Sequence, residues 1–158
     1  MRIPCGIWRH PNGKPAQIKV KAYFSCFKLN FSDFILFLLD TGAVGSLMSE
    51  ADAKKLGIDY DSLQLLPEDQ WATGIGGKSP LYRIKAECKI TFRTDQPITK
   101  SGGGFHVETL DHFDVVKANI TDVKIREEVI ANLPSLLGMD LLPKFKLVAT
   151  GEQAYLEL

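Results

Sequence analysis

Apolar and polar residues alternate over much of the chain. Between Gly13 and Phe24, Ile18, Val20, Ala22 and Phe24 share one face while Lys19 and Lys21 take the other. That period of two predicts a half-buried strand. Phe34 to Leu39, FILFLL, is continuously apolar, short and flanked by turn-forming residues. It predicts a strand buried on both faces, although periodicity alone leaves a helix open. The segment SEADAKKLG, Ser49 to Gly57, predicts a short helix. Ser49 stands as its N-cap, Asp52 takes the capping-box position, and Gly57 stops it. From Pro80 to Phe92 the alternation returns, with Ile84, Ala86, Cys88, Ile90 and Phe92 on one face. A glycine-rich turn, TGIGGKSP, precedes it, so Gln70 to Phe92 reads as one long hairpin with a mobile tip.

Further on, Thr94 to Gly104 ends in KSGGG and predicts a surface loop, and HFDVVKANI predicts a strand. VKIREEVIANLP is ambiguous and is read as a strand leading into a loop. LPSLLGMDLLPKF gives an apolar strand, a glycine and one helical turn stopped by Pro143; KLVATGEQAYLEL gives a hairpin turning near Gly151. No repeat or long linker interrupts the chain. Its 158 residues suit a single mostly-β domain over 1–158, with one or two short helices.

Composition narrows the partners. Apolar content of 45% and charged content of 24% are those of a soluble globular protein. Nineteen basic residues balance nineteen acidic ones. That balance argues against nucleic acid or an anionic membrane as partner, and it lets copies of the chain approach one another. Cys5, Cys26 and Cys88 have no CxxC spacing; Cys26 and Cys88 read as small core residues suited to a reducing cytoplasm, the expected location. No long apolar run marks the N-terminus as a signal peptide, and FILFLL is too short to span a bilayer. The sequon Asn119-Ile120-Thr121 is therefore expected to stay unmodified. His106, Asp111, His112 and Asp114 cluster in sequence, but their spacing fits no standard metal motif, and no metal is expected. His10 has no evident partner.

The chemistry gathers around Asp40. It ends the apolar run and is followed at once by Thr41, Gly42 and Ala43. Ionised carboxylates resist burial unless something compensates them, so Asp40 either caps a turn or belongs to a mechanism. Two further segments follow in order, Gly74-Ile75-Gly76-Gly77 and Leu136-Leu137-Gly138. Over Phe34 to Phe145 the chain resembles the retropepsin-like aspartic proteases, especially their cellular single-domain members. LLDTGAVGSLMS with the helix EADAKKLGI is similar to the catalytic turn, GIGG to the flap, and LPSLLGMDLL to the strand, ψ-loop glycine and closing helix.

The resemblance implies a closed acid-protease barrel with a flap hairpin and a ψ-loop. It implies an aspartic endopeptidase acting on extended peptide segments without metal or organic cofactor. Asp40 would be catalytic, with Thr41 and Gly42 supporting its turn. Ala43 and the flap residues Gly74, Ile75, Gly76 and Gly77 would meet substrate, and Leu137 and Gly138 would be structural. Two carboxylates held close share one proton and can act as base and acid together. This chain carries one Asp-Thr-Gly, so the second aspartate is expected from a second copy across a two-fold axis.

Two departures stand out. Where viral members often carry an Asp and an Arg that pair, this chain has Val44 and Met139, for which an apolar contact is the expected replacement. Thr94 to Asn132 is also longer than in the minimal viral enzymes. Asp140 reads as a capping or salt-bridging residue rather than a second acid. Trp71 reads as packing at the hairpin base. AYLEL either joins an intersubunit sheet or pairs within its own subunit. The competing reading of the whole is an inactive peptide-binding or dimerisation module on the same fold.

Overall fold

The computed structural model describes residues 1–9, 11–12, 16–74 and 77–158. Its strands are β1 (Arg2–Trp8), β2 (Gln17–Cys26), β3 (Phe31–Leu39), β4 (Leu47–Met48), β5 (Gln64–Leu65), β6 (Ala72–Gly74) and β7 (Gly77–Ser79). The later ones are β8 (Leu81–Ile84), β9 (Cys88–Arg93), β10 (Phe105–Leu110), β11 (Phe113–Val116), β12 (Ser135–Leu137), β13 (Lys146–Ala149) and β14 (Ala154–Glu157). Two α-helices accompany them, α1 (Glu50–Lys55) and α2 (Val123–Asn132). Among the described residues no helix is long and apolar enough to cross a membrane.

The main sheet runs β13-β14-β1-β2-β3-β12-β4-β11-β8-β5, and β2 also pairs with β9, which pairs with β10. Among the described residues no ladder closes this path on itself, so the barrel expected from the resemblance is not closed by hydrogen bonds there. Side chains enclose the interior instead. Val20 and Phe24 of β2, Ile35 and Phe37 of β3, Ile90 and Phe92 of β9 and Phe113 of β11 are at most 2% exposed. Phe113 packs edge-on against Phe24 and Phe37. Cys26 and Cys88 are buried among these residues as small side chains, and burial pushes the Cys88 thiol up, with Cys26 beside it adding to the effect.

Several expectations change in three dimensions. β3 is a strand, but it alternates: Ile35 and Phe37 point inward while Phe34 and Leu36 are exposed. On its outer face Phe34 meets Tyr23 edge-on, and Lys21 lies over its ring. The alternation of Pro80 to Phe92 keeps Ala86 inward, yet the chain bends at residues 85–87. One sequence pattern thus becomes β8, paired with β11 and β5, and β9, paired with β2 and β10. The hairpin shrinks to β6 and β7, Ala72 opposite Ser79 and Gly74 opposite Gly77.

VKIREEVIAN is helical, contrary to the strand expectation. Asp122 caps α2 by accepting from the N–H groups of Lys124 and Ile125, and this cap outweighs the lower helix preference of its β-branched residues. β10 has no counterpart in the sequence reading. Its half-buried positions include His106 and Glu108 while Phe105 and Val107 lie outside, which inverts the usual alternation. The C-terminal hairpin forms as expected, and β14 pairs within its own chain on both edges, with β13 and with β1.

Candidate active site

Asp40 is delivered by three strands. β12 lies between β3 and β4, parallel to the first and antiparallel to the second, with Leu137 opposite Leu39. This ψ arrangement carries the end of β3 up to Asp40, whose N–H donates to the Leu137 carbonyl at 3.0 Å. The turn then closes on itself. Asp40 Oδ1 accepts from the Gly42 N–H at 2.9 Å, and the Ala43 N–H donates to the Asp40 carbonyl at 3.2 Å. This is an Asx-type turn, which explains why an aspartate with a following glycine suits the position. A Cβ on Gly42 would sit 3.2 Å from Asp40 Oδ1.

The returning chain grips this turn from below. The Met139 N–H donates to the Ala43 carbonyl at 2.8 Å. A Cβ on Gly138 would lie 2.7 Å from the Gly45 carbonyl and 2.8 Å from the Ala43 oxygen, so only glycine fits between the two loops. Leu137 is in the core. Asp140 makes the bond that the sequence reading missed: its Oδ1 accepts from both the N–H and the hydroxyl of Ser46, at 2.9 and 2.6 Å. Ser46 Oγ in turn accepts from the Gly138 N–H at 3.0 Å. Asp140 therefore neither caps a helix nor forms an ion pair among the described residues. Val44 is 90% exposed and Met139 46% in the single chain, and the Asp140–Ser46–Gly138 chain ties the two loops together.

Above the turn lies a cavity of about 570 Å³. Asp40, Gly42 and Ala43 form part of its wall, Leu47 and Leu136 another part, and Trp71, Ala72 and Thr73 of the hairpin region a third. Trp71 is fixed by its indole N–H, which donates to the Leu66 carbonyl at 2.8 Å, so it is both packing at the hairpin base and cavity wall. Asp114 also lines the space, but Arg83 pairs with it through two bonds of 2.9 and 3.2 Å. Asp40, half-buried, has no such cation among the described residues. Its Oδ2 receives no hydrogen bond from them either.

Other predicted site residues are spread around this centre. Thr41 is exposed beside the turn. Gly74 lines a second, apolar cavity of about 310 Å³ that adjoins the first, and Gly77 pairs with it across the hairpin. Ile75 and Gly76, like His10, lie outside the described residues. The second cavity is lined by Leu38, Leu47 and Leu136, by Ala118 and Ile120, and by Ile130 at the end of α2 with Leu133 after it. Alternation could have found Leu136, because an inward Leu137 turns its neighbour toward the cleft. Nothing local could have found the α2 residues. The candidate metal cluster is dispersed: His106 meets Glu108, His112 meets Asp111, and Asp114 meets Arg83.

The family model described as aspartyl protease matches residues 28–141 of this chain. No sequence of a curated protein matches it. Twelve chains of solved structures do. One is a retropepsin-like aspartic protease from Rickettsia conorii, 22% identical, with a TM-score of 0.51 over 99% of this chain and 89% of that one. That likeness is one of fold.

Proposed function

We propose a function from one premise: this chain belongs to the aspartyl protease family. It is an endopeptidase that cuts peptide bonds in extended segments, using two Asp40 carboxylates brought together in a homodimer. One observation carries this reading. Asp40 stands in its turn with Oδ1 held by the Gly42 N–H and Oδ2 free of described partners, on a cavity faced by a glycine-tipped hairpin.

Two such carboxylates a few ångströms apart cannot both ionise and so keep one proton between them. The ionised one takes a proton from water as the water oxygen attacks the scissile carbonyl carbon. The protonated one gives its proton to the carbonyl oxygen. Collapse of the tetrahedral diol breaks the C–N bond as the amide nitrogen receives a proton from the pair and one diol hydroxyl returns a proton to it, leaving a carboxylic acid, an amine and the shared proton restored. The dyad titrates as a unit. A peptide strand runs past Ala43 and adds to the β6–β7 hairpin by main-chain bonds, and the hairpin shields it from water.

The exposed surroundings of the turn favour a second copy. Val44, Met139 and Thr41 stand open beside Asp40 in the single chain. β14 is occupied on both edges, so the interface in this reading centres on the turns and not on exchanged C-terminal strands. Digestion of a peptide library from about pH 3 to 7 tests the activity. Turnover by the wild type, lost in Asp40→Asn with the dimer intact on sedimentation, is the expected result. Equal turnover by Asp40→Asn sinks the mechanism, and peptide binding without turnover at any pH supports the binding module.

A further inference from the structure

We propose that the outer face of β3, β2, β9 and β10 binds an acidic peptide segment with apolar side chains, at a site separate from the Asp40 cavity. Its use rests on the peptidase reading: the segment belongs to the protein being cut, away from the bond at Asp40. A groove of about 400 Å³ crosses this face, lined by Lys21, Tyr23, Phe34, Arg93 and Phe105 among others. None of its lining residues is acidic, and none lines the cavity of Asp40. Phe34 and Phe105 are 50% and 51% exposed, an unusual state for two such rings on one sheet face.

Strand register explains the charge. Tyr23 stands between Phe34 of β3 and Thr91 of β9, and Arg93 stands opposite Phe105 of β10. Ala22 faces Phe92, so the next step of the same ladder sets Lys21 opposite Arg93. Like charges directly opposite one another destabilise a sheet. Lys21 lies over the Phe34 ring at 4.8 Å and Arg93 over the Phe105 ring at 5.5 Å. The rings attract these cations without neutralising them. Arg93 also gives Nη1 to the carbonyls of Thr94, Gln96 and Gly104, which fixes the guanidinium and adds no anion. Among the described residues neither cation has an acidic partner. A chain with balanced charge thus keeps two cations side by side between exposed rings. Carboxylates complement the cations, and apolar side chains cover the rings. Two cations offer few phosphate contacts, and each ring already carries a cation on one face, so a peptide suits the groove better than a nucleic acid. Four strands about 4.8 Å apart span roughly 15 Å, the length of about five extended residues.

The probe is a labelled peptide of about six residues alternating Glu and Leu, titrated by fluorescence anisotropy with the full chain carrying Asp40→Asn. Binding is expected, weakened about fivefold or more by Gln in place of Glu, by Ser in place of Leu, and by added Lys21→Glu or Phe105→Ser. Lys21→Glu puts opposite charges across β2 and β9, so it should melt no lower than its parent, which separates lost binding from lost fold. Lys124→Glu, the same charge change at an exposed position of α2, should bind as its parent does. Absence of binding, or binding that Lys21→Glu and Phe105→Ser both leave intact, overturns the site. Tighter binding of an oligothymidylate of equal length overturns the peptide occupant, as does a dimer on sedimentation that Lys21→Glu abolishes. Fusing the same acidic segment to a peptide that the wild type cuts should raise kcat/KM about fivefold, a gain lost in Lys21→Glu. Binding without that gain overturns the recruiting role. Binding by a wild type that cuts nothing refutes the peptidase reading and leaves the site standing.

Discussion

Ser46 gives both its backbone N–H and its hydroxyl to a single oxygen of Asp140, at 2.9 and 2.6 Å, across 94 residues of chain. The same hydroxyl accepts from Gly138, so one serine joins the loop that carries Asp40 to the loop that returns beneath it. Hydrogen bonds to a charged acceptor are stronger than neutral ones, and Ser46 is buried. The geometry of Asp40 thus depends on a carboxylate that does no chemistry.

Asp140→Ala should cost about 1–3 kcal/mol of stability, since it strands two buried donors. Peptide hydrolysis should fall in kcat more than in KM. Asp140→Asn keeps an acceptor oxygen and should lose much less on both counts. Urea denaturation with steady-state kinetics decides; an alanine variant as stable and active as the wild type contradicts the role.

Asp40→Asn should fold like the wild type, because Asn retains the oxygen that accepts from Gly42. Hydrolysis should drop by at least about 10²–10⁴-fold, the usual contribution of a general acid–base group. Thermal melting and single-turnover digestion provide the two readings.

Gly138→Ala should be among the most damaging single substitutions. Its methyl would meet the Gly45 carbonyl at 2.7 Å and the Ala43 oxygen at 2.8 Å, and both neighbours are backbone. Overpacking of this kind costs about 1–3 kcal/mol or more, and here it also displaces the Asp40 turn. Denaturant midpoints compared with Gly151→Ala, where a Cβ has open space, isolate the effect.

Stability should depend on Glu108 in acid. Burial raises this carboxyl, but hydrogen bonds from Lys144 and His106, each at 2.8 Å, outweigh burial and hold it below the ordinary value of about 4.5. A carboxyl depressed in the folded chain binds its proton more readily after unfolding. Its stabilisation is therefore complete above the unfolded value and fades as pH falls through the folded one. Glu108→Gln should flatten the acid limb of the melting-temperature profile below pH 4.5. An unaltered acid limb contradicts it.

Much of the centre was legible along the chain because its signals are local. The end of an apolar strand, Asp40 with Gly42, the Ser49 cap with Asp52, and the pair Leu137-Gly138 each involve near neighbours whose backbone geometry their own residue types restrict. Retention of alternation through Ala86 shows the same locality, since a period of two survives a bend. Other features depended on what lay opposite in space. The bend at residues 85–87 sends β8 and β9 to different partners, and β10 turns His106 inward against Phe92 and Phe145 and beside Glu108, which Lys144 holds. Helix α2 won over its β-branched residues through a cap and a tether to Glu50. By itself, the sequence determined which residues end the strand and make the turn, because those preferences lie within a few bonds. Only the tertiary structure decided that Ser46 meets Asp140, and that Leu47, Trp71, Leu136 and Ile130 share one cleft. Contacts between residues far apart in the chain leave no periodic trace in it.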